Sequence, residues 1–143
     1  MTDMTAEEVI AALDLLPHPE GGCYRETYRH AGASGAQGAG TAIYYLLRAG
    51  EHSAWHRVTD ADEIWHWYAG APLELSIAED GGPARTGTLG PAITGGERPQ
   101  RIVPANAWQS ARSLGDWTLV GCTVTPAFDF ASFEMAPAGW EPG

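Results

Sequence analysis

Basic side chains are scarce in this chain: eight Lys plus Arg stand against 18 Asp plus Glu, a formal net charge of −10 over 143 residues. Nucleic acid and anionic membrane surfaces would repel it, so neither is expected as a partner. Cysteine is nearly absent. The two thiols, Cys23 and Cys122, cannot make the disulfide framework of a small secreted domain, and both sit beside residues of strand character, so buried, reduced thiols are expected. The start, Met1-Thr2-Asp3-Met4-Thr5-Ala6-Glu7-Glu8, has no basic residue and no long apolar stretch, and no later run approaches membrane-spanning length. A cytoplasmic protein of one domain over residues 1–143 is expected, with enough chain for a core of its own.

Glycine and proline are plentiful, at 18 and 10, and follow no periodic repeat, which suits many short strands joined by tight turns. One helix is expected over residues 5–16: Thr5 and Glu8 have the spacing of a capping box, Val9, Ile10, Leu13 and Leu16 share a stripe, and Pro17 stops it. Strands are expected over Cys23–His30, Thr41–Leu47, Ala54–Val58, Glu63–Tyr68, Leu73–Ala78, Arg101–Pro104, Thr118–Thr125 and Ser132–Met135. Turn signals such as Ala49-Gly50, Thr59-Asp60, Ala69-Gly70 and Asp80-Gly81-Gly82 bound them, and the Gly/Ala/Ser-rich stretch 31–40 reads as a mobile loop. With no second strong helix, a parallel β-α-β plan is disfavoured. The fold class is all-β, a two-sheet antiparallel sandwich or jelly roll.

The densest run of His, Glu and Trp lies between Gly50 and Gly70. Two strands joined by an acidic turn bring His56 near Glu63, and strand alternation puts Glu63, Trp65 and Trp67 on one face with Ile64, His66 and Tyr68 on the other. An imidazole and a carboxylate converging inside a barrel can hold a divalent metal, can act as base and orienter in proton transfer, or can simply pair for structural reasons. Trp65 and Trp67 would wall a small ligand. Arg25 suits a ligand phosphate or carboxylate, or an ion pair with Glu26. His18 and Glu20 lie in a Pro/Gly turn and read as a loop held by its own hydrogen bonds. Phe128, Phe130 and Phe133 read as core or interface; Asp129 among them needs a partner, with His56, Arg25 or a backbone amide as choices.

The spacing Gly50, His56, Glu63, Gly70 resembles the first cupin motif, with Val58 where its second His belongs. Pro104-Ala105-Asn106-Ala107-Trp108-Gln109 resembles the second, with Gln109 in place of the ligand His. His18-Pro19-Glu20-Gly21-Gly22-Cys23-Tyr24-Arg25-Glu26-Thr27-Tyr28, Ala61-Asp62-Glu63-Ile64-Trp65-His66 and the segment Val120 to Phe130 are similar to the cupin 5 subfamily, domain of unknown function 985. That resemblance covers roughly residues 8 to 136. It implies a cupin double-stranded β-helix, a jelly-roll barrel over about 22–136 behind one N-terminal helix, and a homodimer. The His56/Glu63 pair and the Trp65/Trp67 wall point to a small-molecule ligand, with catalytic roles for His56 and Glu63 and ligand contacts from Arg25, Trp65, Trp67 and Gln109. An isomerase or epimerase acting on a sugar or nucleotide-sugar-like ligand leads. A metal-dependent enzyme in which His56, Glu63 and Gln109 hold Zn, Ni, Mn or Fe, and a non-catalytic sensor module, are the alternatives. An epimerase also needs an acid, for which Tyr24, Tyr28, Tyr44, Tyr45 and Tyr68 are available.

Overall fold

In a computed structural model that describes residues 4–33, 37–79 and 82–143, two antiparallel sheets roll into a jelly-roll barrel. Part of the 31–40 loop and of the Asp80-Gly81-Gly82 turn, and the first three residues, lie outside the described residues. Helix α1 runs over Ala6–Leu13, and Thr5 and Glu8 close both halves of the capping box. It ends earlier than its apolar stripe suggests. Asp14 takes a left-handed conformation (φ 55°), Leu15 turns into the core, and Leu16–Pro17 forms a short strand β1. The stop is therefore at Asp14, and Leu16, 64 % exposed, belongs to no helical stripe.

The remaining strands are β2 Cys23–Arg29, β3 Thr41–Arg48, β4 His52–Val58, β5 Asp62–Gly70, β6 Leu73–Ala78, β7 Arg85–Leu89, β8 Gln100–Val103, β9 Trp108–Ser113, β10 Trp117–Thr125 and β11 Phe133–Met135. The larger sheet has the order β1-β2-β3-β10-β5-β8 and the smaller β11-β4-β9-β6-β7. Strands β1, β7 and β9 are absent from the sequence reading. In β9 the buried face is Gln109, Ala111 and Ser113, small or polar side chains that give no hydrophobic alternation. Strand β7, Arg-Thr-Gly-Thr-Leu, buries only Leu89.

The alternation expected for β5 is present: Glu63 and Trp65 are buried and Trp67 packs against the core, while Tyr68 lies exposed on the other face. Between the sheets, Tyr45, Leu47, Trp65, Leu73, Leu75, Leu89, Val103 and Val120 form the main core. Outside the larger sheet, α1 lays Ala6 and Val9 over Leu46, Cys23 and Trp117. Cys23 and Cys122 are both free and buried. Packing thus fills one end of the barrel with leucines and leaves the other end, around His56 and Glu63, to polar groups.

Two motif glycines turn the chain at either end of the β4–β5 hairpin. Gly50 (φ +79°) has open space where a Cβ would go, whereas a Cβ on Gly70 (φ +86°) would sit 2.5 Å from the Trp117 carbonyl and 2.7 Å from its indole. Gly50→Ala is expected to cost about 1 kcal/mol, the left-handed backbone alone. Gly70→Ala adds a backbone collision and should cost at least about 2 kcal/mol. Urea denaturation of both variants checks the ranking; equal losses would mean that the Trp117 backbone gives way freely.

Candidate functional site

His56 and Gln109 are directly opposed cross-strand partners on β4 and β9, and Glu63 on β5 of the other sheet faces them across the hollow. All three are buried. Gln109 bridges the sheets: its Nε2 donates to Glu63 Oε1 at 2.8 Å, and its Oε1 accepts the Trp65 indole N–H at 2.7 Å. An indole nitrogen can only donate, so Trp65 fixes which end of the amide faces Glu63.

A fourth buried group comes from the segment between β1 and β2. Glu20 rides on a turn closed by His18 N–H to Gly22 O (2.9 Å) and Gly21 N–H to His18 O (3.0 Å), and its own carbonyl accepts the Ala54 amide of β4 at 2.8 Å. Its carboxylate accepts the Ser53 hydroxyl, and Oε1 lies 3.3 Å from His56 Nε2. His18 covers it. The His18 Nδ1 accepts the Glu20 amide at 3.0 Å, so it has no hydrogen to donate to the Glu20 carboxylate 3.5 Å away. Tyr45 anchors the turn from below, donating to the Gly21 carbonyl.

The protonation states follow from burial. His56 Nδ1 lies 2.7 Å from the Ala54 carbonyl, which can only accept, so that nitrogen carries hydrogen and Nε2 faces Glu20. Desolvation pushes the Glu20 carboxyl up to about 7 against the pull of Ser53 and Tyr45. It also raises Glu63, opposed by the His56 charge, and lowers His56, opposed by Glu63. His18 falls to about 4, from burial first and the neighbouring His56 second. Burial thus disfavours the charged forms of both Glu20 and His56, and their 3.3 Å contact is closer to a neutral pair than to an ion pair.

These groups open onto a cavity of about 50 Å³ lined by His18, Glu20, His56 and Glu63 on its polar side. Tyr24, Ile43, Val58 and Val124 form part of its apolar side, and Phe128, Phe130 and Phe133 complete it. The sequence reading placed these phenylalanines in the core or an interface and Glu20 in a self-contained turn. Nothing in a linear reading brings residues 20 and 128–133 together. Asp129 finds its partner in a backbone amide, capping a short turn through Ala131 N–H at 2.9 Å.

The other expected contacts lie elsewhere. Trp65 is 1 % exposed inside the core, and Trp67 gives its indole N–H to the Ala71 carbonyl; neither lines the cavity. Arg25 is exposed on a strand whose neighbour Tyr24 is the residue turned to the cavity. Gln109 stays behind Glu63, its two ends occupied. For a metal the fit is poor: Gln109 turns its non-ligating NH₂ inward, and buried Val58 fills the corner of the missing His. Among the described residues no group of three or more His, Cys, Asp or Glu side chains is arranged to hold a metal ion. No helix among them is long and apolar enough to cross a membrane.

Comparison with known proteins places the fold. The family described as the cupin superfamily (DUF985) matches residues 7–136. A solved Shewanella oneidensis protein is 38 % identical, with 93 % of this chain and 85 % of that one covered and a TM-score of 0.87. A hypothetical protein from Leishmania major is 34 % identical over 93 % of this chain and 88 % of its own, with a TM-score of 0.82. A dTDP sugar isomerase from Desulfovibrio desulfuricans, 14 % identical with 83 % of each chain covered, has a TM-score of 0.62 and shares the fold. No curated protein matches.

Proposed function

The chain belongs to the cupin superfamily, in its DUF985 family, and from that premise we propose that it binds a small molecule in the cavity and moves a proton on it, as an isomerase or epimerase does. One observation carries the reading: a buried imidazole with its Nδ1–H fixed on Ala54 meets a carboxyl held at about 7, and both open onto a cavity with an aromatic wall. A group poised near the working pH is the right one to take up and return a proton. In the proposal the Glu20–His56 pair is the base. Of the five tyrosines, Tyr24 lines the cavity and is the candidate acid; Tyr45 is committed to Gly21.

In the proposal Glu63, held by Gln109, is the carboxylate whose charge favours the protonated form of His56, while the Ala54 carbonyl orients the ring. A small, sugar-like ligand suits the reading better than a whole nucleotide sugar, because among the described residues no lysine or arginine lines the cavity to meet a diphosphate. A second copy of the chain is part of the proposal, supported by the exposed Ile102 and Tyr68 on the outer face of the larger sheet. So is a cytoplasmic location. Neither alters the chemistry of the cavity.

Deuterium wash-in separates an enzyme from a binding module. Incubated in D₂O with a panel of small hydroxy-carbonyl compounds and followed by proton NMR, the protein is expected to exchange hydrogen next to a carbonyl. His56→Asn and Glu20→Gln should slow exchange about 100-fold or more. A compound that binds in the cavity yet keeps all its carbon-bound hydrogen over days would leave a binding module in place of the enzyme.

A further inference from the structure

The electrostatic make-up of the cavity narrows the ligand further. No arginine lines it, and the chain has no lysine at all: its eight basic residues are arginines at 25, 29, 48, 57, 85, 98, 101 and 112. Arg29 touches two lining residues, but it is held there by Glu26 at 2.6 and 3.2 Å and by the Phe128 carbonyl at 2.9 Å. Arg57 is held by Glu134 and lies over the Trp108 ring, outside the cavity. A phosphate or carboxylate entering the cavity would meet Glu20 and Glu63 without a countercharge, at the cost of burying like charges together.

The aromatic wall points the same way. Phe128, Phe130 and Phe133 meet one another edge to face, with centroids 4.7, 5.9 and 5.7 Å apart and interplanar angles of 84°, 71° and 73°. Phe133 also stands 5.5 Å from the His56 ring, and Tyr24 lies 4.4 Å from His18. Perpendicular rings beside buried carboxylates make the surroundings that proteins use to hold ammonium groups, the ring quadrupoles and the carboxylates pulling in one direction. Resting on the reading of the cavity as the ligand site, we infer that the group inserted beside Glu20 and Glu63 is the protonated amine of a small ligand.

The amine would supply the charge that the two buried carboxylates lack. The groups facing Glu20 are His18, His56, Ser53 and Tyr45, with Glu63 across the hollow; of these only a protonated His18 or His56 could balance it, and burial disfavours that form in both. An arriving ammonium favours the ionised carboxylates. Binding is therefore accompanied by proton release, which calorimetry in buffers of different ionisation enthalpy reads directly.

Three probes of similar size test the inference: propylammonium, 1-butanol and butyrate, titrated into protein with ¹³C-labelled methyls and followed at Ile43, Val58 and Val124. Propylammonium is expected to shift these methyls with a Kd at least about tenfold below that of 1-butanol, and butyrate to leave them still. Glu63→Gln should weaken propylammonium about tenfold or more. Phe130→Leu, at a half-exposed side chain, should weaken it about three- to fivefold and leave 1-butanol unchanged. Butyrate binding as tightly as the amine, amine affinity indifferent to Phe130→Leu, or no probe moving the methyls would overturn the inference. If 1-butanol or butyrate saturates the shifts while propylammonium does not, the amine falls and the cavity stands as the ligand site.

Discussion

Trp65→Phe is expected to lower stability by about 2–4 kcal/mol, far more than the loss of half an indole ring suggests. Trp65 is 1 % exposed and packs edge-on to Tyr45 at 5.9 Å, so the smaller ring leaves a void in the core. The larger share comes from Gln109, whose buried Oε1 loses its donor and cannot reach water. An unpaired buried acceptor costs about 1–3 kcal/mol, whereas removing both partners together can be nearly neutral. Adding Gln109→Leu to Trp65→Phe should therefore recover part of the loss. Recovery is incomplete because Glu63 then loses the amide that donates to it. Urea midpoints for the two single variants and the double give the coupling; a Trp65→Phe loss below about 1 kcal/mol would mean that the amide finds another donor.

Glu20→Gln is expected to change how stability depends on pH. In the folded protein this carboxyl sits at about 7, against an ordinary value of 4.5, because burial penalises its charge. Between those values the folded chain binds the extra proton, so stability falls as pH rises through the window, by about 3 kcal/mol from this group. His18 has the opposite sign. Held at about 4 instead of 6.5, it binds less proton when folded, so stability falls as pH drops from 6.5 toward 4. Wild type should show both limbs. The glutamine variant removes the alkaline one: its stability relative to wild type should climb by about 3 kcal/mol between pH 4.5 and 8. Denaturation at pH 5, 6, 7 and 8 reads the trend, and a constant difference between the two proteins would place the Glu20 proton elsewhere.

The strands that alternate large apolar residues with polar ones could be read directly, because their periodicity is the packing itself. Strand β5 is the example: the alternation from Glu63 to Tyr68 gives both of its faces. Strand β9 could not be read that way, since a strand that borders a polar hollow buries Gln109, Ala111 and Ser113 in place of leucine and valine. His56, Glu63 and Gln109 were found as motif positions. Their partner Glu20 was not, because its role depends on a contact with Ser53 that spans 33 residues and a turn whose sequence reads as self-contained. The aromatic wall escaped for a similar reason. Phe128 to Phe133 return to β4 only after β10 has crossed the larger sheet, and β11 is three residues long.

The indole of Trp65 also bears on how this family could exchange one chemistry for another. Histidine at 109 would not by itself restore a metal ligand: the indole N–H would claim one imidazole nitrogen, leaving the opposite nitrogen protonated and turned to Glu63. A lineage crossing between metal-bearing and metal-free barrels must then alter β5 as well as β9, and an intermediate that changes Trp65 first leaves the Gln109 acceptor buried and unpaired in the meantime.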